Sequence, residues 1–206
     1  MKVVVITNEE LKEELLAQGI GENADLHWQS EVKEIAGANC YIDLLFSHSP
    51  ERINKLIELQ PAILIVNSLE NTLNELPAGF FRINGWNTFL KRNLVEAAGP
   101  AEERITVEDI FTCFNKTIEW TPDIAGFITA RVVCTIINEA YFTLAEKVST
   151  KEEIDTAMKL GTNYPYGPFE WAEKIGLQNV YTLLTKLSKT TSRYTPSSLL
   201  QKEALS

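Results

Sequence analysis

The chain opens on a short β-branched run of strand length, Val3-Val4-Val5-Ile6. Asn8 follows as a candidate N-cap, and residues 9–18 carry a helical pattern. Apolar runs of strand length recur at residues 40–46 and 62–66. Between them a helical stretch, 50–59, starts at the cap-like pair Ser49-Pro50. Residues 82–86 and 94–97 read as two more strands, 106–116 as a helix and 117–120 as a last short strand. Strands alternating with helices predict an α/β domain: a parallel sheet with helices on both faces, doubly wound and Rossmann-like.

Beyond Thr121 the period changes. Ile124, Phe127, Ile128, Val132, Ile136, Ala140 and Leu144 recur at helical spacing, which predicts one amphipathic helix over 123–147 with Asp123 as its cap. Ser149, with Glu152 three positions on, resembles a capping box and opens a second helix that ends at Gly161. Pro168 starts a third, Gly176 ends it, and 178–189 is the last helix before a Ser/Thr-rich tail. Thr121-Pro122-Asp123 is thus the expected joint between the α/β domain (1–120) and an all-helical C-terminal domain (121–206).

Charge sharpens that division. The chain has 206 residues with 19 basic and 28 acidic, a net charge of −9. Residues 1–120 hold ten basic and nineteen acidic side chains, whereas the remainder is balanced. An acidic protein of this kind is a poor partner for nucleic acid or an anionic membrane surface, both of which require clustered Lys and Arg. No apolar run approaches the ~20 residues that span a bilayer, and the first six residues read as a buried strand rather than a leader. Cys40, Cys113 and Cys134 are odd in number, far apart and without a CxxC. They read as small core residues of a cytoplasmic protein, with no disulfide framework and no metal site.

The second domain carries an ordered series of motifs. Gly126-Phe127-Ile128 with Arg131 comes first, then Asn138-Glu139-Ala140 and Glu153-Ile154-Asp155-Thr156-Ala157-Met158-Lys159-Leu160-Gly161. Tyr164-Pro165, Gly167-Pro168-Phe169-Glu170, Ile175-Gly176-Leu177 and Arg193-Tyr194 follow. In that order they resemble the C-terminal domain of the 3-hydroxyacyl-CoA dehydrogenase family. The resemblance implies an all-helical domain that contributes to an acyl-CoA site and forms a homodimer, behind a Rossmann-type NAD-binding domain. Taken alone, Gly126, Gly161, Gly167 and Pro168 are turn and cap residues, and Phe127, Met158 and Phe169 are core.

The same resemblance assigns chemistry to the first domain, and there the residues depart from the family's. A Rossmann domain seats the dinucleotide pyrophosphate on a G-x-G-x-x-G turn at a helix N-terminus. The turn here is Thr7-Asn8-Glu9-Glu10-Leu11-Lys12, without glycine. Its two carboxylates oppose a pyrophosphate by roughly 1–4 kcal/mol per pair at close range. NAD is therefore implied by resemblance alone, and no residue is assigned to bind it. The stretch before residue 40, where the adenosine half would lie, is shorter than the family's, and Asp25 is its only ribose candidate.

Asn67-Ser68 resembles the family's Asn-Thr-Ser segment, which makes Ser68 a candidate contact to a substrate hydroxyl. Arg82-Ile83-Asn84-Gly85-Trp86-Asn87-Thr88-Phe89 resembles Arg-x-x-Gly-x-His-Phe, in which the histidine is the general base; Asn87 takes its place. Glu96, in Leu94-Val95-Glu96, keeps the carboxylate that orients that histidine, and Ala130 replaces an asparagine that contacts substrate. A positioned base contributes typically 10²–10⁴-fold, and a carboxamide does not titrate. His27 and His48 lie outside the motif and read as surface residues. Two functions stand at this point. One is a family scaffold without dehydrogenase chemistry that binds an acyl-CoA or a protein partner. The other is an active NAD-dependent oxidoreductase of a hydroxyacyl-CoA, with Glu96 or water as base.

Overall fold

The N-terminal run forms β1 (Lys2–Ile6), whose Val3, Val4, Val5 and Ile6 are fully buried in the computed structural model, which describes residues 1–21 and 25–206. A strand with no polar side must be covered on both faces. Val3 and Val5 join one core with Leu11, Leu15, Val107, Ile110 and Phe111, while Val4 and Ile6 join a second with Tyr41, Leu56 and Phe80. The alternation of side chains along the strand thus places helices on either side of the sheet.

The chain divides into two compact units, Met1–Phe127 and Ile128–Ser206. In the first, β1 is followed by α1 (Glu9–Leu15), a 3-10 turn (Leu16–Gln18), β2 (Asp25–Gln29), β3 (Cys40–Asp43) and α2 (Pro50–Ile57). Then come β4 (Ile63–Asn67), β5 (Phe80–Ile83), β6 (Leu94–Ala98), α3 (Arg104–Thr112) and β7 (Thr117–Trp120). The sheet order is β2-β1-β3-β4-β5-β6-β7. All pairs are parallel except β5 with β6, which is antiparallel. The sheet is therefore doubly wound and mostly parallel. Chain order reverses at β1, and open α/β sheets bind ligands outside the carboxyl ends of the strands at such a switch point.

Strand β2 is missing from the sequence reading. Asp25-Leu26-His27-Trp28-Gln29 has two apolar residues in five, and its pairing with Lys2–Ile6, together with Leu26 and Trp28 packing on the core, makes it a strand. The connection from β2 to β3 contains no helix, although a parallel crossover usually uses one.

The second unit contains α4 (Thr129–Ala145), α5 (Lys151–Thr162), α6 (Pro168–Ile175), α7 (Leu177–Ser188) and α8 (Ser198–Ala204). Three expectations are corrected here. Helix α4 begins at Thr129 rather than at 123: its N-cap is Ile128, and Asp123 instead accepts Arg82 Nε at 2.6 Å. The capping box of α5 is Thr150 with Glu153, one residue later than Ser149 with Glu152, and the Ser149 hydroxyl also donates to Glu153. The Ser/Thr-rich tail holds a helix, α8, capped by Ser197 and anchored by the fully buried Leu200. Among the described residues no helix is long and apolar enough to cross a membrane.

Several motif residues of this unit secure its own fold. Buried Asn138 donates to Thr195 O at 2.9 Å and accepts Ser197 N–H at 2.8 Å, which pins the chain entering α8. Asn138→Ala should cost about 1–3 kcal/mol, the penalty of leaving buried backbone groups unpaired. Urea unfolding measures the loss, and limited proteolysis should then cut beyond Thr195 first.

Candidate functional site

The corner after β1 is closed by its own residues. Asn8, with extended backbone, is the N-cap of α1, and its side-chain oxygen accepts Leu11 N–H at 2.9 Å. Thr7 N–H is committed to Gln29 O at 2.9 Å, and the Thr7 hydroxyl to Asn8 O at 2.9 Å. Glu9 and Glu10 fill the first turn, where carboxylates complement the helix dipole. A dinucleotide needs free N–H donors here and room for backbone approach. This corner offers a carboxamide already in the donor site and two acids in place of glycines, so it does not fit a pyrophosphate. Across the switch point, the fully buried Asp43 accepts Arg52 Nε and Nη2, both at 2.7 Å, and Leu45 N–H at 3.1 Å. Burial pushes the Asp43 carboxyl up while Arg52 pulls it down, and burial dominates.

Of the residues singled out in the sequence, Asn67 and Ser68 lie at the end of β4, Asn87 in the connection after β5, Glu96 in the middle of β6, and Ala130 in the first turn of α4, in the second unit. Asn67, the last residue of β4, donates to Leu44 O at 3.2 Å and Gly85 O at 3.1 Å and accepts Gly85 N–H at 3.0 Å. It braces three neighbouring strand ends. Gly85 is required for this, since a Cβ there would stand 2.9 Å from Asn67 Cγ. Ser68 is buried, and its hydroxyl donates to Asn71 O at 3.0 Å. Glu96, on β6, is also buried and accepts Asn84 Nδ2 at 2.9 Å, while Asn84 N–H donates to Glu96 O at 3.0 Å. Asn87 is half-buried in the turn that leaves β5. His27 pairs with Asp25 on β2 at 2.9 Å, and His48 meets Glu75 O at 2.9 Å.

Three residues that the sequence reading passed over hold the turn that follows Asn87. Both oxygens of the buried Glu14 accept Thr88 N–H, at 2.8 and 2.7 Å. Gln18 Nε2 donates to Lys91 O at 2.7 Å. Lys116, only 2% exposed, donates to Leu90 O at 2.5 Å and Arg92 O at 2.7 Å. A signal for Glu14 exists: it follows Leu11 by three and precedes Leu15 by one, a carboxylate on the apolar face of its helix.

Burial lowers the Lys116 ammonium to about 8, with Glu14 acting the other way. Between that value and the ordinary lysine value near 10.4, the unfolded chain binds a proton that the folded chain does not. Stability of the first unit should therefore rise with pH across this window, by about 1–3 kcal/mol. Denaturant titrations at pH 7.5 and 10 measure the rise, and Lys116→Met should abolish it.

The comparisons with known proteins agree with this architecture. A family model for the 3-hydroxyacyl-CoA dehydrogenase C-terminal domain matches residues 126–205. The 3-hydroxybutyryl-CoA dehydrogenase of Clostridioides difficile is 31% identical over 183 residues, covering 78% of this chain and 65% of that protein. The chain belongs to the 3-hydroxyacyl-CoA dehydrogenase family. The 3-hydroxyadipyl-CoA dehydrogenase of Escherichia coli is 44% identical over 93 residues, 44% of this chain but 20% of that protein. The chain thus spans less than two thirds of the length of these curated relatives. In fold, the crystal structure of (S)-3-hydroxybutyryl-CoA dehydrogenase from Ralstonia eutropha matches with a TM-score of 0.74 at 18% identity, covering 98% of this chain and 93% of that one.

Membership in the 3-hydroxyacyl-CoA dehydrogenase family puts the C-terminal motifs in physical terms. Asp155, on α5, accepts the N–H groups of Phe169 at 2.8 Å and Glu170 at 3.1 Å, so it caps α6 from another helix. Glu170 turns back to accept Gly167 N–H at 2.9 Å and pairs with Lys159. In this dehydrogenase-family chain the motif Gly167-Pro168-Phe169-Glu170 is a helix start built around the Asp155 carboxylate.

Proposed function

We propose that the chain keeps the 3-hydroxyacyl-CoA dehydrogenase scaffold as an acyl-CoA-binding protein without dehydrogenase chemistry of its own. The observation that carries this reading is the corner after β1, where the Asn8 side chain occupies the helix N-terminus and Glu9 and Glu10 follow it. Asn87 in place of a titrating base, and Glu96 bound by the Asn84 amide, support it from the opposite end of the chemistry. The CoA thioesters named for the relatives supply the ligand class. The burial of Cys40, Cys113 and Cys134, none of them in a disulfide, supports a cytoplasmic protein.

Titration with NADH, followed by nicotinamide fluorescence, should give no binding at millimolar concentration, while calorimetry with acetoacetyl-CoA should give a saturable isotherm. Acetoacetyl-CoA with NADH should show no loss of absorbance, and Asn87→His should not restore it, because the corner after β1 is unchanged. The second reading, an NAD-dependent oxidoreductase with Glu96 or water as base, has the retained Ser68 and Glu96 in its favour. Turnover that disappears in Glu96→Gln would establish it and overturn the first.

We further propose a homodimer formed through the second unit. Ile128, Val132 and Phe142 on α4 are 53%, 52% and 40% exposed. Beside them Ile136, Val148, Ile154 and Met158 line a groove of about 460 Å³. Light scattering should report twice the chain mass at micromolar concentration, and Val132→Glu should halve it; a single monomeric mass for the unaltered protein overturns the dimer.

A further inference from the structure

Strands β2 and β7 are the two edges of the sheet. Thr7 N–H donates to Gln29 O, so Gln29, and with it His27 and Asp25, turn their peptide groups towards β1. The N–H and C=O groups of Leu26 and Trp28 therefore point the other way, off the edge. Among the described residues nothing hydrogen-bonds to them. At the far edge Thr117 N–H goes to Asn93 O and Thr121 N–H to Ala97 O, which leaves Ile118 and Trp120 outward on β7.

An open edge is a template for another strand, and native edges are blunted by proline, lysine, a bulge or a cover. β2 is uninterrupted. Asp25-Leu26-His27-Trp28-Gln29 runs in register with β1 throughout, without proline, glycine or lysine. The connection that follows turns onto a face of the sheet, where Val32, Ile35 and Ala38 pack against the core around Val4 and Ile6.

The pattern of β2 suits a second copy of itself. Two such strands laid antiparallel about a two-fold axis at His27 bring Leu26 opposite the partner's Trp28, which pairs the outward groups of both residues. On one face the half-buried Leu26 and Trp28 side chains would pack across the strands. On the other, each His27 imidazole, 2.9 Å from its own Asp25, gains the partner's Asp25 as a diagonal neighbour. The same operation on β7 sets Glu119 directly against the partner's Glu119, with only Thr117 and Thr121 beside them. Like charges directly opposite are destabilising.

We propose that β2 is a self-association edge, through which two copies of the chain join by antiparallel β2 strands centred on His27 and continue one sheet into the next. The pairing is independent of the acyl-CoA reading and uses a surface other than the dimer contact on α4. It is therefore read in Val132→Glu, where the α4 contact is disabled.

A contact of five residues on each side belongs to the weak class of interfaces. In sedimentation equilibrium the mass of Val132→Glu should rise towards twice its starting value between about 5 μM and about 0.5 mM. Adding His27→Lys, or His27→Glu, sets like charges face to face and should abolish the rise. An equimolar mixture of the lysine and glutamate variants should restore it. Amide exchange at Leu26 and Trp28 in Val132→Glu should slow at least about twofold at the higher concentration, since only the outward amides gain a partner.

A mass that ignores concentration overturns the proposal, and so does a mixture no heavier than its components. Stronger association of the lysine variant would seat the Glu119 edge of another copy on β2 and overturns it as well. If the charged variants do not fold, exchange at Leu26 and Trp28 decides: slowing at these two amides upholds the pairing, and unchanged rates overturn it.

Discussion

Replacing Arg82 with methionine should destabilise the first unit by about 3–5 kcal/mol, the cost of breaking a buried charge pair from one side. Arg82 is fully buried, and all of its polar groups are spent. Nε donates to Asp123 Oδ1 at 2.6 Å, Nη1 to Ser68 O at 3.1 Å and Nη2 to Ile124 O at 2.7 Å. The guanidinium also lies 4.2 Å from the centroid of the Phe127 ring. Methionine fills much of the volume but leaves two buried carbonyls without donors and Asp123 without its counter-charge. Asp123 in turn accepts Leu73 N–H at 2.9 Å, so its displacement loosens the chain beyond β4 as well. Arg82→Lys keeps the charge but not the three-way fork and should recover only a minor part of the loss. Equilibrium urea unfolding followed through tryptophan fluorescence measures both. A loss below about 1 kcal/mol for the methionine variant would mean that the pairing contributes little beyond a hydrophobic replacement.

The second large effect is a coupling. A Cβ on Gly167 would occupy the space of the Asp155 carboxylate, so Gly167→Ala must displace the group that caps α6. Asp155→Ala removes that group outright, leaving the Phe169 and Glu170 amides without an acceptor. Hydrogen bonds to a charged group are worth roughly 1.5–3 kcal/mol each. Either single change should therefore cost about 2–4 kcal/mol. Once Asp155 is alanine, the added methyl group finds room, and Gly167→Ala should then cost less than about 1 kcal/mol. The double-mutant cycle would show an interaction of about 2 kcal/mol, far above the scatter of independent sites. Additive losses would mean that alanine at 167 is harmful for a reason other than Asp155.

Where hydrophobic runs and turn chemistry act locally, the sequence reading and the fold agree. The buried strands β1, β3 and β4 announce themselves as apolar runs, and Pro168 and Gly176 bound α6 as their conformational limits require. What escaped is set by distant partners. β2 is half polar and is a strand because β1 offers it a register. α8 hides in a Ser/Thr-rich tail because its anchors, Asn138 and the core around Leu200, lie far back in the chain. Asp123 stands at a suitable distance before an amphipathic stripe, yet a buried guanidinium competes for it and wins.

Within the candidate site, Ser68, Asn87 and Glu96 were reached through a family resemblance and not through any local pattern. Glu14 and Lys116 were illegible for a different reason: their partners are backbone groups, and no sequence records which amide a carboxylate will meet. Asn84 has no signature either, since only the pairing of β5 with β6 brings its amide to Glu96.

The tie between Glu14 and Thr88 spans 74 residues. As the chain leaves the ribosome, α1 is made before β5, so the amide that its carboxylate is shaped to receive is not yet synthesised when the helix emerges. Until then a carboxylate on the helix's oily side has only water for company, which holds that side away from early collapse. Helix α1 should accordingly be one of the last pieces to gain protection in a pulse-labelling experiment, arriving together with the β5–β6 hairpin rather than with its neighbour β1.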